Sequence, residues 1–134
     1  EPLRSRPLSQ LSGGERARAL LARVLAGEPR WLLADEPLAN LDLAHQLALL
    51  GQLRALARDR GLGVVLVLHD LAQAMNFADR VLVLDRGALV ADGSPEAVLT
   101  EHLIGAVWGV PARWLGEPGA RALLPGCVTS GRGP

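Results

Sequence analysis

Apolar residues occur along the chain in two spacings, which predict helices that alternate with strands. Positions with a helical spacing follow Ser12, and apolar side chains every three or four residues are typical of an amphipathic helix. Short, continuously apolar runs are typical of strands buried on both faces of a parallel sheet. The first half is therefore predicted to contain a helix from Ser12 to about Gly27, a strand over 31–35, a helix over about 43–58 that ends at Gly61, a strand over 64–68, and a helix from Asp70 to about Ala78.

Each of the two longer helices has one apolar face, and the face of the second helix is expected to point to the core. On the first helix this face consists of Ala17, Leu20, Leu21, Val24 and Leu25, and on the second of Leu49, Leu50, Leu53 and Leu56.

Shorter elements are predicted in the second half of the chain. The spacing and the turn residues predict strands over 80–85 and 88–91 joined by Arg86-Gly87, short helices over 94–99 and 101–108, and strands over 112–115 and 122–124 that pair across Glu117-Pro118-Gly119. Two prolines interrupt residues 1–11, which are predicted to form a loop, and residues 129–134 are predicted to be a loose tail.

The order strand, helix, strand predicts an α/β fold. A helical crossover between neighbouring strands makes them parallel, so their carboxyl ends lie at one edge of the sheet. Asp35 and Glu36 follow the first strand, and His69 follows the second. Because ligands of open α/β sheets bind at this edge, the three side chains are expected to converge on a functional site.

Composition narrows the classes of function. The 134 residues contain 49% hydrophobic residues, and 14 arginines balance 14 acidic residues, without any lysine. Zero net charge argues against a nucleic-acid surface, which needs an excess of basic residues. A single cysteine, Cys127, fits a reducing compartment, and no apolar stretch approaches the roughly 20 residues that span a bilayer.

Ser12-Gly13-Gly14-Glu15 has two interpretations. Ser12 and Glu15 have the spacing of a capping box, which on its own is the more common meaning. Glycine is unfavourable in a first helical turn, however, and it allows another group to approach the backbone closely. A phosphate bound by the N–H groups at the start of the helix is such a group.

Asp35, Glu36 and His69 also have a structural and a functional interpretation. A lone Asp-Glu pair can cap a helix, and a lone histidine is usually a surface imidazole. At the end of a buried strand, one carboxylate can instead hold Mg²⁺ while the other polarises a water for attack on a phosphoryl group. Asp42 is predicted to cap the next helix. No convergent partner is predicted for His45 or for His102.

Four motifs in this order resemble those of the ATP-binding subunits of ABC transporters. The residues Leu11–Glu15 resemble the signature motif, with Glu where Gln is commoner, and Leu32–Glu36 resembles the Walker B strand. The segment Ala39-Asn40-Leu41-Asp42 resembles the D-loop, and His69-Asp70 resembles the switch histidine. The resemblance covers roughly residues 8–115. It implies a P-loop NTPase-like parallel sheet flanked by helices.

The resemblance implies roles for these residues between two subunits that sandwich ATP. Ser12, Gly13, Gly14 and Glu15 would lie in the signature motif at the ATP of a partner subunit, and Asp42 would link the two sites. Asp35 would hold Mg²⁺, Glu36 would be the general base, and His69 would hold the γ-phosphate. The implied partners are a second ATP-binding subunit, a transmembrane permease and, indirectly, a substrate-binding protein. The location implied is peripheral, on the cytoplasmic face of a bacterial inner membrane.

The family's Walker A loop ends in Lys-Ser/Thr, and the chain has no lysine. The chain is therefore expected to be the carboxyl-terminal part of a longer subunit and to be inactive alone. On this basis, residues 1–11 would end the helical subdomain, 12–108 would complete the ATPase core, and 109–134 would be an extension.

Several stretches are similar to importers of metal chelates, namely cobalamin, haem and ferric siderophores. They include residues 41–46 and 91–95. The alternatives are a non-transport ATPase of the same superfamily, acting in DNA repair or translation, and a truncated interaction module without catalytic activity.

Overall fold

The computed structural model describes residues 7–126, apart from the side chain of Leu8, and the chain forms two compact units that divide in sequence between His69 and Asp70. The first unit contains a 3₁₀ turn at Leu8–Gln10, helix α1 (Gly13–Leu25), strand β1 (Trp31–Asp35), helix α2 (Leu43–Arg60) and strand β2 (Gly63–Val67). The second contains α3 (Leu71–Phe77), β3 (Val81–Asp85), β4 (Ala88–Gly93), α4 (Pro95–Val98), α5 (Glu101–Trp108), β5 (Ala112–Leu115) and β6 (Ala122–Pro125).

Both helices of the first unit begin at the predicted caps. Ser12 caps α1 through a complete capping box, and Asp42 caps α2 by accepting a hydrogen bond from the backbone N–H of His45. These caps satisfy N–H groups that have no partner inside a helix. Helix α2 ends at Gly61, whose φ of 64° is a left-handed conformation that glycine adopts without steric cost.

Strands β1 and β2 are parallel, as the helical crossover predicts. Trp31 is paired with Gly63, and the register continues to Asp35, which is paired with Val67. Strand β2 begins and ends one residue earlier than predicted. The carboxyl ends of both strands therefore lie at one edge, where Glu36 directly follows the last residue of β1 and His69 follows β2 after Leu68.

The prediction that both strands are buried on two faces is wrong within the described residues. Leu32 is buried, but Trp31 and Leu33 on the opposite face are 64% and 74% exposed. Val65, the registered partner of Leu33, is also exposed. We call the exposed residues Trp31, Leu33, Val65 and Val67 the open face of the parallel pair.

The apolar face of α1 is only partly covered. Ala17, Leu21 and Leu25 are half-buried, whereas Leu20 and Val24 are exposed. On α2 the face predicted to point to the core does so, because Leu49, Leu50 and Leu53 are buried and Leu56 is half-buried.

In the second unit, the predicted hairpins and short helices are present. Arg86 and Gly87 both have positive φ, as a two-residue type I′ turn between β3 and β4 requires. Strands β5 and β6 are antiparallel. Met75, Val83, Val98 and Leu99 form a buried hydrophobic cluster in this unit.

Residues 1–6 of the predicted amino-terminal loop, and the predicted tail at 129–134 with Cys127, lie outside the described residues. Part of the predicted loop is instead the short 3₁₀ turn. Across residues 7–126, no helix is long and apolar enough to cross a membrane.

Candidate functional site

The end of strand β1 places two carboxylates in succession. Asp35 is the last residue of the strand, and Glu36 follows with a φ of 46°, a left-handed conformation that is uncommon for a residue with a side chain. The carbonyl of Glu36 accepts a hydrogen bond from the N–H of Ala39, which closes a turn directly after the strand. The chain therefore reverses at Glu36, and the reversal fixes the position from which its side chain projects.

Glu36 and His69 form the contact predicted from the parallel strands. The Nε2 atom of His69 lies 2.7 Å from Oε1 of Glu36. Both side chains are largely exposed, at 77% for His69 and 48% for Glu36. A carboxylate beside an imidazole, open to solvent at the end of a sheet, can accept a proton from a water while the imidazole donates a hydrogen bond.

The start of α1 combines a cap with unpaired backbone donors. The N–H of Ser12 donates to Oε2 of Glu15 at 2.9 Å, and the N–H of Glu15 donates to Oγ of Ser12 at 3.3 Å. Within residues 7–126, neither Gly13 nor Gly14 donates its N–H to an acceptor. The structural interpretation of this motif is thus correct, and the donors that an anion would need are also present.

His45 has a partner that the sequence interpretation missed. Its Nδ1 lies 2.8 Å from Oδ1 of Asp42, the same oxygen that accepts the backbone N–H of His45. These hydrogen bonds, first that from the backbone and then that from the ring, lower the pKa of the Asp42 carboxyl. The expectation that His45 lacks a convergent partner is therefore wrong. The contact could have been predicted from the three-residue spacing between Asp42 and His45, which is also the spacing of Ser12 and Glu15 in the capping box.

The turn before α2 is held by a further residue without a predicted role. The side-chain amide of Gln46 donates to the carbonyl oxygens of Leu38 and Leu41, at 3.3 and 3.0 Å. Leu38 itself is buried. The segment Ala39-Asn40-Leu41-Asp42 is consequently bonded to the helix that follows it.

The predicted site residues form two groups. Glu36 and His69 are joined at the sheet edge, while Gly13 and Gly14 adjoin the turn that leads to Asp42. In the described part of the chain, no hydrogen bond or ion pair joins Ser12, Gly13 or Gly14 to Asp35, Glu36 or His69. Residues 7–126 contain no cluster of three or more His, Cys, Asp or Glu side chains that could hold a metal.

Comparisons with known proteins show which proteins this chain is similar to. The ABC transporter family model matches residues 1–39, a range that includes the glycine pair and both carboxylates. The hemin import ATP-binding protein HmuV of Rhodococcus jostii (strain RHA1) is 48% identical over 122 residues, which are 90% of this chain and 41% of that protein. This chain is part of an ABC transporter ATP-binding domain.

Solved ABC structures share the fold. A structure described as an inward-facing, metal-chelate type ABC transporter superposes with a TM-score of 0.82 at 30% identity, covering 92% of this chain and 51% of the other. A bacterial ABC transporter cassette solved as a dimer gives a TM-score of 0.63 at 33% identity, covering 71% of this chain and 40% of the other. The predicted P-loop NTPase-like α/β class is confirmed. The chain spans less than half the length of the curated relatives that it matches.

Proposed function

We propose that this chain is part of an ATP-hydrolysing subunit of an ABC importer, and that Glu36 and His69 act on the terminal phosphate of ATP. The observation that carries the proposal is the 2.7 Å contact between Glu36 Oε1 and His69 Nε2 at the shared end of β1 and β2. ATP-binding domains of the ABC family act on nucleotides, and this contact supplies a base and a hydrogen-bond donor where a nucleotide would meet the sheet.

In the proposed reaction, Glu36 accepts a proton from a water that attacks the γ-phosphorus in line with the leaving oxygen. The new P–O bond forms as the bond between the γ-phosphorus and the bridging oxygen breaks, giving ADP and phosphate. His69 orients the attacked phosphoryl group and the base by donating from its ring. The left-handed turn at Glu36 places the base directly after the end of β1.

The donor set fits Mg²⁺ at Asp35. Magnesium in nucleotide sites is held by one or two carboxylates together with phosphate oxygens and water, rather than by a cage of protein ligands. Asp35 is an exposed carboxylate at the end of β1, so it can supply the single protein ligand. When bound, the ion would neutralise charge on the phosphates.

We further propose that two subunits complete each nucleotide site. The glycine pair with its free N–H groups, and the Glu36–His69 pair, form separate groups in the described residues. This separation is consistent with each group facing a different ATP. Ser12, Gly13, Gly14 and Glu15 would then face the nucleotide held by the partner subunit, and Asp42 would lie at the connection between the sites.

The proposed cargo is a metal chelate, with haem favoured over cobalamin and ferric siderophores because curated relatives of the chain are named for hemin import. The subunit would bind a transmembrane permease at the cytoplasmic face of a bacterial inner membrane, with a substrate-binding protein delivering cargo on the other side. The test is ATP-dependent uptake by proteoliposomes that contain the complete subunit and its permease. Uptake of haem is expected to exceed that of the other two chelates. Absence of uptake for all three would contradict an importer.

The isolated 134-residue chain is expected to bind ATP weakly and not to hydrolyse it. ABC ATPases grip the β- and γ-phosphates with a glycine-rich loop that ends in lysine, and this chain contains no lysine. Phosphate release by the purified chain, compared with the complete subunit at the same ATP concentration, checks this expectation. ATPase activity of the chain that disappears on Glu36→Gln would refute it.

A further inference from the structure

Gly14 is surrounded by protein on the side where other residues carry a side chain. It is the only buried residue of α1 in the described structure. A methyl group built at this position would overlap the imidazole of His45 and would lie 2.8 Å from its Nε2. The ring therefore occupies the space that makes glycine necessary here.

The neighbouring glycine is packed against the same segment, but less tightly. A methyl group at Gly13 would lie 3.2 Å from the carbonyl oxygen of Asn40 and 3.6 Å from Cδ2 of Leu41. The two glycines thus lie against the turn from Asn40 to His45. Packing against this turn is therefore a second reason for glycine at both positions, besides the approach of a phosphate.

His45 is itself fixed by the turn. Its Nδ1 is bonded to Asp42, so the opposite edge of the ring, which carries Cδ2 and Nε2, faces Gly14. Leu41 and Leu49 line the small apolar hollow beside this contact. One imidazole consequently joins the cap of α2 to the first turn of α1.

We propose that His45 is a positioning residue that sets the glycine pair relative to Asp42, and that Gly14 is glycine because this ring lies against it. The functional part of this inference rests on the proposed role of the glycine N–H groups in binding a nucleotide. If His45 sets their position, its loss weakens ATP binding more than it slows the chemical step, because no hydrogen bond or ion pair within residues 7–126 joins His45 to Glu36 or His69.

The decisive experiment compares Gly14→Ala, His45→Asn and the double variant in the complete subunit. Asparagine keeps an N–H near the position of Nδ1, but it lacks the ring edge that faces Gly14. Gly14→Ala alone is expected to lower Tm by about 5 °C, because overpacking outweighs the better helix propensity of alanine. In the His45→Asn background, the same change is expected to have little effect on Tm, because the overlapping ring is gone.

Kinetics separate positioning from packing. We expect His45→Asn to raise the KM for ATP about fivefold, which is the effect expected from the loss of one favourable contact. The kcat is expected to change less than about twofold. Gly14→Ala is expected to raise the KM for ATP by more than His45→Asn does when His45 is present, but not when it is added to His45→Asn. A fall in kcat at unchanged KM would overturn the positioning role.

Gly51→Ala is the matched control. Gly51 lies inside α2, and a methyl group there would meet no atom within 4 Å. Alanine at position 51 is expected to leave the KM unchanged and to stabilise the helix slightly. If Gly14→Ala behaves like Gly51→Ala, or if its effects on Tm persist in the double variant, the proposal is overturned. If the unsubstituted subunit shows no ATPase activity, but Gly14→Ala lowers Tm only when His45 is present, the proposed ATPase function is refuted while the Gly14–His45 contact is supported.

Discussion

Replacing Glu36 by glutamine in the complete subunit is expected to reduce kcat for ATP hydrolysis by a factor of about 10²–10⁴, the usual contribution of a general base. Glutamine keeps the length of the side chain and can still accept a hydrogen bond from His69, but it cannot take a proton from water. The affinity for ATP is therefore expected to change little. Single-turnover hydrolysis measures the chemical step, and equilibrium binding of a fluorescent ATP analogue measures affinity.

Glu28→Gln is a matched control for this experiment. Glu28 has the same φ of 46° as Glu36, so both substitutions put glutamine into a left-handed backbone position. Glu28 is exposed and lies outside the proposed site. Normal hydrolysis by Glu28→Gln would exclude a backbone effect. If Glu36→Gln weakens ATP binding as much as hydrolysis, Glu36 is a ligand of the nucleotide rather than its base.

Replacing Leu99 by alanine is expected to give the largest loss of stability, about 2–5 kcal/mol in the free energy of unfolding of the second unit. The residue is 1% exposed and packs with Met75, Val83 and Val98. Its backbone carbonyl accepts the indole N–H of Trp114 at 2.7 Å, a bond that alanine preserves. The loss therefore reports on the removed methyl groups and the cavity that they leave.

Urea unfolding of the complete subunit, followed by tryptophan fluorescence, gives the shift in midpoint for Leu99→Ala. Leu89→Ala provides the comparison, because Leu89 belongs to the same unit and is 56% exposed. Its expected change is within about 0.5 kcal/mol. Equal shifts for the two variants would show that Leu99 is not part of the cooperative core.

The convergence of Glu36 and His69 could be predicted because it follows from chain topology. A helix between two short apolar runs makes the strands parallel, and the polar residues after each run must then meet at one edge. The caps at Ser12 and Asp42 could be predicted equally well, since they depend on residues three positions apart in sequence. Local spacing and strand direction thus account for the part of the site at the sheet edge.

The packing of His45 against Gly14 could not be predicted in this way. It joins two helices that are separated by β1, so no spacing along the chain records it. The two glycines in a first helical turn did indicate a close approach, but not whether a phosphate or a side chain makes it. Burial was mispredicted for a related reason: an apolar run shows that Trp31 and Leu33 can be covered, not that the described residues contain a covering element.

The open face of the parallel pair has a practical consequence for handling the chain. Trp31, Leu33, Val65 and Val67 form an exposed apolar surface on strands that have no further neighbouring strands within residues 7–126. Apolar strands with unpaired edges recruit other strands, which leads to aggregation. The 134-residue chain produced by itself should therefore accumulate in inclusion bodies, and the sheet that aligns Glu36 with His69 would be the surface that drives its precipitation.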